Sequence, residues 1–209
     1  MGSRLIPVLQ SRGHHVTALV RNNSKNKLAG KCDFVCGDAL DGKSYRDAVN
    51  EADTFVHLVG VAHPSPRKAR QFVEIDMKSA QEAIGVAVDN DVRHFVYLSV
   101  AHPAPAMHAY IDARTHCEQM LRDSGVNATI VQPWYVLGPG HRWPYALVPF
   151  YRIAELLPPT RESAFRLGLI TIREMVQALT AVVEDPPVGV RVMDVPRIRQ
   201  LSRAQKTIC

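Results

Sequence analysis

No apolar run in this sequence reaches the ~18 residues that a membrane-spanning helix requires, and no signal-peptide-like apolar segment follows Met1. Neither a membrane span nor an export signal is therefore expected. Cysteine is scarce: Cys32, Cys36, Cys117 and Cys209 are the four among 209 residues. That excludes a disulfide-built scaffold, and the Cys32/Cys36 pair has no second pair to complete a zinc site. His102, His108 and His116 lack metal-ligand spacing too, so no metal is expected. Nor does charge of one sign accumulate. Lys and Arg number 25 against 20 Asp and Glu, and the net +5 is spread along the chain rather than gathered into a nucleic-acid arm. The expectation is a reduced, cytoplasmic protein whose mildly basic surface suits an anionic small molecule at least as well as DNA, and no nucleic-acid partner is expected.

What is present is an ordinary globular composition, 46% hydrophobic and 22% charged, on a length that suits one core with a short appendage. Helix-like and strand-like segments alternate, the pattern of a parallel sheet covered by helices. Gly2 to Arg12 reads as an amphipathic helix ending at Gly13, His15 to Val20 as a strand, and Arg21 to Lys25 as a polar turn. Phe34 and Val35 form a second strand, Lys43 to Glu51 a helix, and Thr54 to Val59 a buried strand ending at Gly60. A long helix over Lys68 to Val88 precedes the strand Phe95 to Val100 and a helix from Met107 to Ser124, closed by Gly125. Ala128 to Gln132 is a strand broken by Pro133. An aromatic, proline-rich run (Trp134 to Tyr151), a helix around Ile172 to Glu184, a strand Val190 to Val195 and a basic tail complete the chain. The division expected is a core over 1–133 and a small lobe over 134–209.

In an open parallel sheet, ligands lie at the carboxyl ends of the strands. Here those positions are Arg21, Asp38, Gly60 to Ala62, Ser99 to His102 and Pro133 to Gly140. Each has an ordinary explanation alone, as a turn cation or a helix cap; together they are spaced as the rim of one nucleotide site. The ordered pieces are Gly2-Ser3-Arg4-Leu5, the strand ending in Arg21, and Gly37-Asp38. His57-Leu58-Val59-Gly60, Phe95 to Ser99, Tyr110-x3-Arg114 and Pro133 to Gly140 continue the series. In this order and at these separations the chain resembles the extended or atypical short-chain dehydrogenase/reductases of the NAD(P)-binding epimerase/dehydratase type. The resemblance implies a Rossmann-like doubly wound sheet and an NAD(P) cofactor. It implies that Gly2 lies on the phosphate side, that Asp38 bonds the adenine amino group, that Gly60 with Val61 lines the ribose side, and that Ala39 and Leu58 belong to the same cofactor site. Pro133 would begin the loop beside the nicotinamide. Arg21 stands where an acidic residue would bind the 2′-hydroxyl of NAD, and a guanidinium suits the 2′-phosphate, so NADP is favoured over NAD.

Two departures from the family pattern carry weight. The family's first apolar strand and most of its glycine-rich turn are missing ahead of Gly2, so the chain enters the pattern in mid-motif, as from a late start or a truncation. The family's Tyr-x3-Lys pair is here Tyr110 and Arg114, one helical turn apart, and an arginine keeps the charge but not the lysine's part in a proton relay. The family's Ser or Thr falls at Val100 or Ala101, leaving Ser99 or His102 as its substitute. Tyr110, Arg114 and Ser99 are thus the expected catalytic set, with Trp134, Tyr135, His102 and His141 toward a small-molecule substrate. Three functions stay open at this point. They are an NADP-linked oxidoreductase or epimerase, a non-catalytic NAD(P)-binding redox sensor or assembly factor, and a chain that binds nothing. Homodimers formed through a helix pair are common in the family.

Overall fold

The computed structural model describes residues 1–27, 32–62, 64–104, 107–138 and 165–206. Leu5, Ile6 and Leu9 recur at helical spacing and are buried along α1 (Gly2–Ser11). The chain turns at Gly13, in the left-handed region at φ 86°, and returns as β1 (Thr17–Val20). A 3-10 segment (Asn22–Lys27) follows, then β2 (Asp33–Cys36), which pairs in parallel with β1. The helix expected over 43–51 is instead two 3-10 turns, Gly42–Ser44 and Arg46–Val49. Asp41 caps the first through the Lys43 amide, and only Val49 of the second is buried, too little apolar face for a full helix.

β3 (Thr54–His57) leads to the long helical stretch, which is not one regular helix. A 3-10 turn and one α-turn precede a wide π-segment, Phe72–Met77, that continues into α2 (Lys78–Asp89). β4 (His94–Leu98), α3 (His108–Asp123) and β5 (Ala128–Val131) come next. A short parallel pair, β6 (Tyr135–Leu137) with β7 (Leu169–Thr171), was not legible in the sequence. α4 (Ile172–Glu184) opens with a capping box between Thr171 and Glu174. β8 (Val190–Met193) is followed by α5 (Val195–Lys206), where a basic tail was expected; Ile198 and Ser202 are fully buried on it.

β3–β4–β5–β8 form an all-parallel sheet, and β1–β2 form a second parallel pair. Alternate side chains feed two cores. Val96 and Val131 join Leu5 and Leu9 of α1, Met175 and Leu179 of α4 and Ile198 of α5 on one face. Phe95, Tyr97 and Ile130 join Ala80 and Ala83 of α2 with Cys117 and Leu121 of α3 on the other. This is a parallel sheet wrapped by helices on both faces, the doubly wound architecture expected. Among the described residues no strand pairs with the free edge of β1 or of β3, so the sheet is split there.

Candidate functional site

The carboxyl ends of β1, β2 and β3 open onto a groove of about 1830 Å³. It brings together Gly2, Arg21, Asp38, Ala39, Leu58, Gly60 and Val61, seven of the residues singled out from sequence. Arg21 is exposed at the end of β1. Gly37 is there because a Cβ would come 2.9 Å from Ser44 Oγ and 3.0 Å from Leu19 Cδ1. That tight turn sets Asp38, whose Oδ1 accepts the Leu40 amide at 3.0 Å while its own amide donates to Ser44 Oγ at 2.9 Å. A carboxylate has further acceptor capacity beyond that one bond. α1 reaches the same groove at Gly2, 3.9 Å from Leu58 Cδ1 by its would-be Cβ, and its first turn carries no capping side chain and no acid. Uncapped N–H groups and the positive end of the helix dipole favour an anion there.

Tyr110 and Arg114 lie on α3, beside that groove rather than among its lining residues. Arg114 is buried. Its Nη2 pairs with Asp76 Oδ1 at 2.5 Å, and its Nη1 donates to the Leu98 carbonyl at 2.7 Å and to Tyr97 Oη at 3.2 Å. The guanidinium stands 5.3 Å from the Tyr110 ring centroid and 5.6 Å from that of Tyr97, cation–π contacts on both sides. Gly60 closes over this pair: a Cβ there would collide with Arg114 Nη2 and sit 3.0 Å from Asp76 Oδ1. Asp76 Oδ2 also accepts the Val61 amide at 3.1 Å, so that N–H is already engaged. Burial pushes the Asp76 carboxyl up, and Arg114 offsets this only in part. Burial likewise raises the Tyr110 phenol against the pull of Arg114, so it is a protonated hydroxyl near neutral pH.

Ser99 does not stand free beside Tyr110. Its hydroxyl donates to Glu118 Oε1 at 2.5 Å, and Gln132 Nε2 donates to both Glu118 oxygens at 2.8 and 3.0 Å. His102 Nε2 lies 3.0 Å from that same Gln132 nitrogen and 3.4 Å from Glu118 Oε1. Pro133, buried, accepts the Ala101 amide at 2.9 Å, tying the two loops at the ends of β4 and β5. Trp134 and Tyr135 make an edge contact at 5.3 Å, and Trp134 packs partly on the first core. His141 lies outside the described residues.

Sequence reasoning missed Asp76, Glu118 and Gln132. Tyr110, Arg114 and Glu118 repeat at four-residue spacing on α3, which was a readable signal for one buried polar row. Asp76 was a carboxylate on an otherwise apolar helical face, a weaker signal.

A family model described as NAD(P)H-binding matches residues 1–144. The chain belongs to that NAD(P)H-binding family. Among curated proteins none matches it. The fold of this NAD(P)H-binding protein is shared with solved epimerases and dehydratases. A nucleoside-diphosphate-sugar epimerase from Staphylococcus aureus is 17% identical at a TM-score of 0.64, over 98% of this chain and 73% of that one. UDP-glucuronic acid 4-epimerase from Bacillus cereus, in complex with NAD, is 16% identical at 0.66, over 92% and 73%. A dTDP-glucose 4,6-dehydratase from Streptomyces venezuelae, with NAD bound, is 14% identical at 0.65, over 99% and 77%. The groove fits a dinucleotide on its own terms. A side-chain-free, uncapped helix end, an exposed arginine and a carboxylate with spare acceptor capacity meet at one sheet edge. Among the described residues, no helix is long and apolar enough to cross a membrane.

Proposed function

We propose that this protein binds NADP(H) and reduces a carbonyl carbon of a small molecule, as an oxidoreductase of the epimerase/dehydratase type. The observation that carries the reading is the meeting of Gly2, Arg21, Asp38 and Gly60 in one groove, with the Tyr110 hydroxyl beside it. Arg21 holds the 2′-phosphate of the cofactor through charge-assisted hydrogen bonds, and Asp38 accepts from the adenine amino group. Gly60 and Val61 line the ribose side of the cofactor. The bound nicotinamide supplies or accepts the hydride. Tyr110 is the general acid: a phenol kept protonated by burial gives its proton to the oxygen of the reacting carbonyl. Arg114 acts on Tyr110 from beneath, as a charge over its ring. Trp134, Tyr135 and His102 lie toward the substrate. The free thiols of Cys32, Cys36 and Cys117 are consistent with a reducing, cytoplasmic setting.

A second reading has a specific observation behind it. Ser99 donates to Glu118, and Arg114 is committed to Asp76, which leaves Tyr110 without the usual partners of a catalytic tyrosine. This favours a non-catalytic NAD(P)-binding redox sensor or assembly factor. NADPH titration, then NADPH oxidation with a panel of carbonyl compounds that includes nucleotide 4-keto-sugars, separates the two. For the enzyme, Tyr110→Phe keeps NADPH affinity and lowers turnover by about 10²–10⁴. Equal turnover in parent and variant removes Tyr110 from the acid role. Tight NADPH binding with no turnover on any carbonyl selects the sensor.

A further inference from the structure

Ser99 has one hydroxyl proton and gives it to Glu118. A serine bonded in that way can accept from a ligand but cannot donate to a carbonyl oxygen. The bond belongs to a buried chain of polar groups that ends at a histidine. Glu118, 5% exposed at its side chain, also accepts from Gln132 Nε2 on both oxygens, at 2.8 and 3.0 Å. An oxygen in place of that nitrogen would face a carboxylate, acceptor to acceptor, so the amide nitrogen is the atom that lies there. One of its hydrogens goes to Glu118 and the other to His102 Nε2, 3.0 Å away. The amide nitrogen only donates, so His102 Nε2 accepts, and the proton of the neutral ring sits on Nδ1.

His102 is the member of this chain that solvent reaches, 27% exposed at its side chain. Its loop is held from two sides, by the Ala101 amide on the Pro133 carbonyl at 2.9 Å and by Arg166 Nη1 on the Pro103 carbonyl. Pro133 leads into Trp134 and Tyr135 at the start of β6, and Arg166 precedes β7. The imidazole therefore stands at the seam between the main sheet and the β6–β7 pair. Tyr110 is anchored at the same end of the sheet. Arg114, under the Tyr110 ring, donates to the Leu98 carbonyl, and Glu118, behind His102, accepts from Ser99, the next residue along β4. One polar row on α3 thus ties a phenol and an imidazole to adjacent positions at the end of β4.

We propose that Gln132 and Glu118 are positioning residues that hold His102 in its Nδ1–H form, and that this N–H donates to the oxygen of the reacting carbonyl beside the Tyr110 hydroxyl. The inference rests on the oxidoreductase reading and names the second donor of that site. NADPH is the reductant. When the carbonyl carbon takes the hydride, the π pair of the C=O bond goes to oxygen, and that oxygen takes the Tyr110 proton. His102 meets the charge gathering on the oxygen with a hydrogen bond and keeps its own proton throughout. The role left open by Ser99, whose proton is spent on Glu118, passes to the histidine that the same carboxylate orients.

The test joins NADPH oxidation, with the carbonyl compound that the parent turns over, to long-range proton–nitrogen spectra of the histidine-labelled full chain. His102→Ala should lower kcat by about 10²–10³, the scale of one lost oxyanion donor, with NADPH affinity nearly unchanged. His102→Asn, whose amide nitrogen is bonded to Cγ as Nδ1 is, should keep at least about a tenth of the parental kcat. His102→Gln, whose nitrogen lies one bond farther out, where Nε2 does, should fall with His102→Ala. In the parent spectrum Nδ1 should be protonated and Nε2 bare. Gln132→Leu should move His102 toward the Nε2–H form and lower kcat at least about tenfold, the scale of a lost orienting partner. A parent ring protonated at Nε2 overturns the inference, as does equal kcat in parent and His102→Ala, or equal loss in the Asn and Gln variants. A parent that binds NADPH and turns over no carbonyl overturns the oxidoreductase reading, and this role for His102 falls with it.

Discussion

Removing the Arg114 charge while leaving Asp76 in place is the sharpest test of what this arginine does. Asp76 is fully buried and Arg114 nearly so, and Asp76 keeps only the Val61 amide if the guanidinium goes. Arg114→Met preserves length and apolar bulk but strands a carboxylate in the interior. Breaking a buried pair from one side costs about 3–5 kcal/mol, a large share of the about 5–15 kcal/mol that holds a domain folded. With a urea slope near 2 kcal/mol per molar, the unfolding midpoint should fall by about 1.5–2.5 M. Asp76→Leu should lose a comparable amount, because it leaves the arginine buried alone. The double variant removes both charges and should recover to within about 1–2 kcal/mol of the parent, since apolar replacement of a buried pair is often near neutral. Arg114→Lys, which recreates the family's pair, should still lose about 1–3 kcal/mol, because one ammonium cannot serve Asp76, Tyr97 and the Leu98 carbonyl as a planar fork does. Urea unfolding monitored by far-UV circular dichroism checks all four. An Arg114→Met midpoint equal to the parent's, at unchanged slope, would refute the idea that this pair pins α3 to the segment Phe72–Met77 and, through Val61, to the loop after β3.

Three further outcomes are expected. Arg21→Ala should weaken NADPH binding by about 1.5–3 kcal/mol, the scale of a hydrogen bond to a charged group, and leave NADH binding nearly unchanged in parallel titrations; equal losses would exclude Arg21 as the 2′-phosphate ligand. Among the described residues His57, buried, has no hydrogen-bond partner for either ring nitrogen, and burial, with Arg114 nearby, lowers its pKa to about 3. Its unfolded form takes up a proton below about pH 6.5 while the folded form resists, so stability falls as pH falls, by about 2 kcal/mol at pH 5. His57→Phe should remove that share of the acid sensitivity, and identical pH slopes in parent and variant would contradict it. Gly60→Ala places a methyl against Arg114 and should cost about 1–3 kcal/mol in thermal unfolding; a neutral change would mean the Gly60 loop gives way freely.

The alternation of apolar strands and amphipathic helices made the doubly wound sheet legible, because β4 and β5 are buried on both faces and read as continuous apolar runs. The C-terminal helix was not legible: α5 is rich in arginine, and Ile198 and Ser202 on its buried side are too few to stand out against that charge. β6 and β7, three residues each, are defined by their mutual pairing across a long separation, which no local pattern carries. At the site, spacing located Arg21, Asp38 and Gly60 in one groove. It could not show that Arg114 turns inward to Asp76, since both outward and inward rotamers suit the same helical position. Nor could it show that Ser99 is tied to Glu118, because that bond joins residues brought together only when β4 and α3 pack.

The divided sheet also bears on how the molecule comes apart. Cooperative opening follows contiguous hydrogen-bonded units, and here β1 and β2 form one unit while β3, β4, β5 and β8 form another. Arg21 and Asp38 ride on the smaller, two-stranded unit, and Gly60 sits on the larger. The smaller unit should open at a lower free energy, taking the Arg21 and Asp38 half of the groove with it while the other half stays folded. A dinucleotide that touches both halves would then act as a clasp, lending the weaker unit the stability of the stronger in proportion to the ligand's concentration over its Kd.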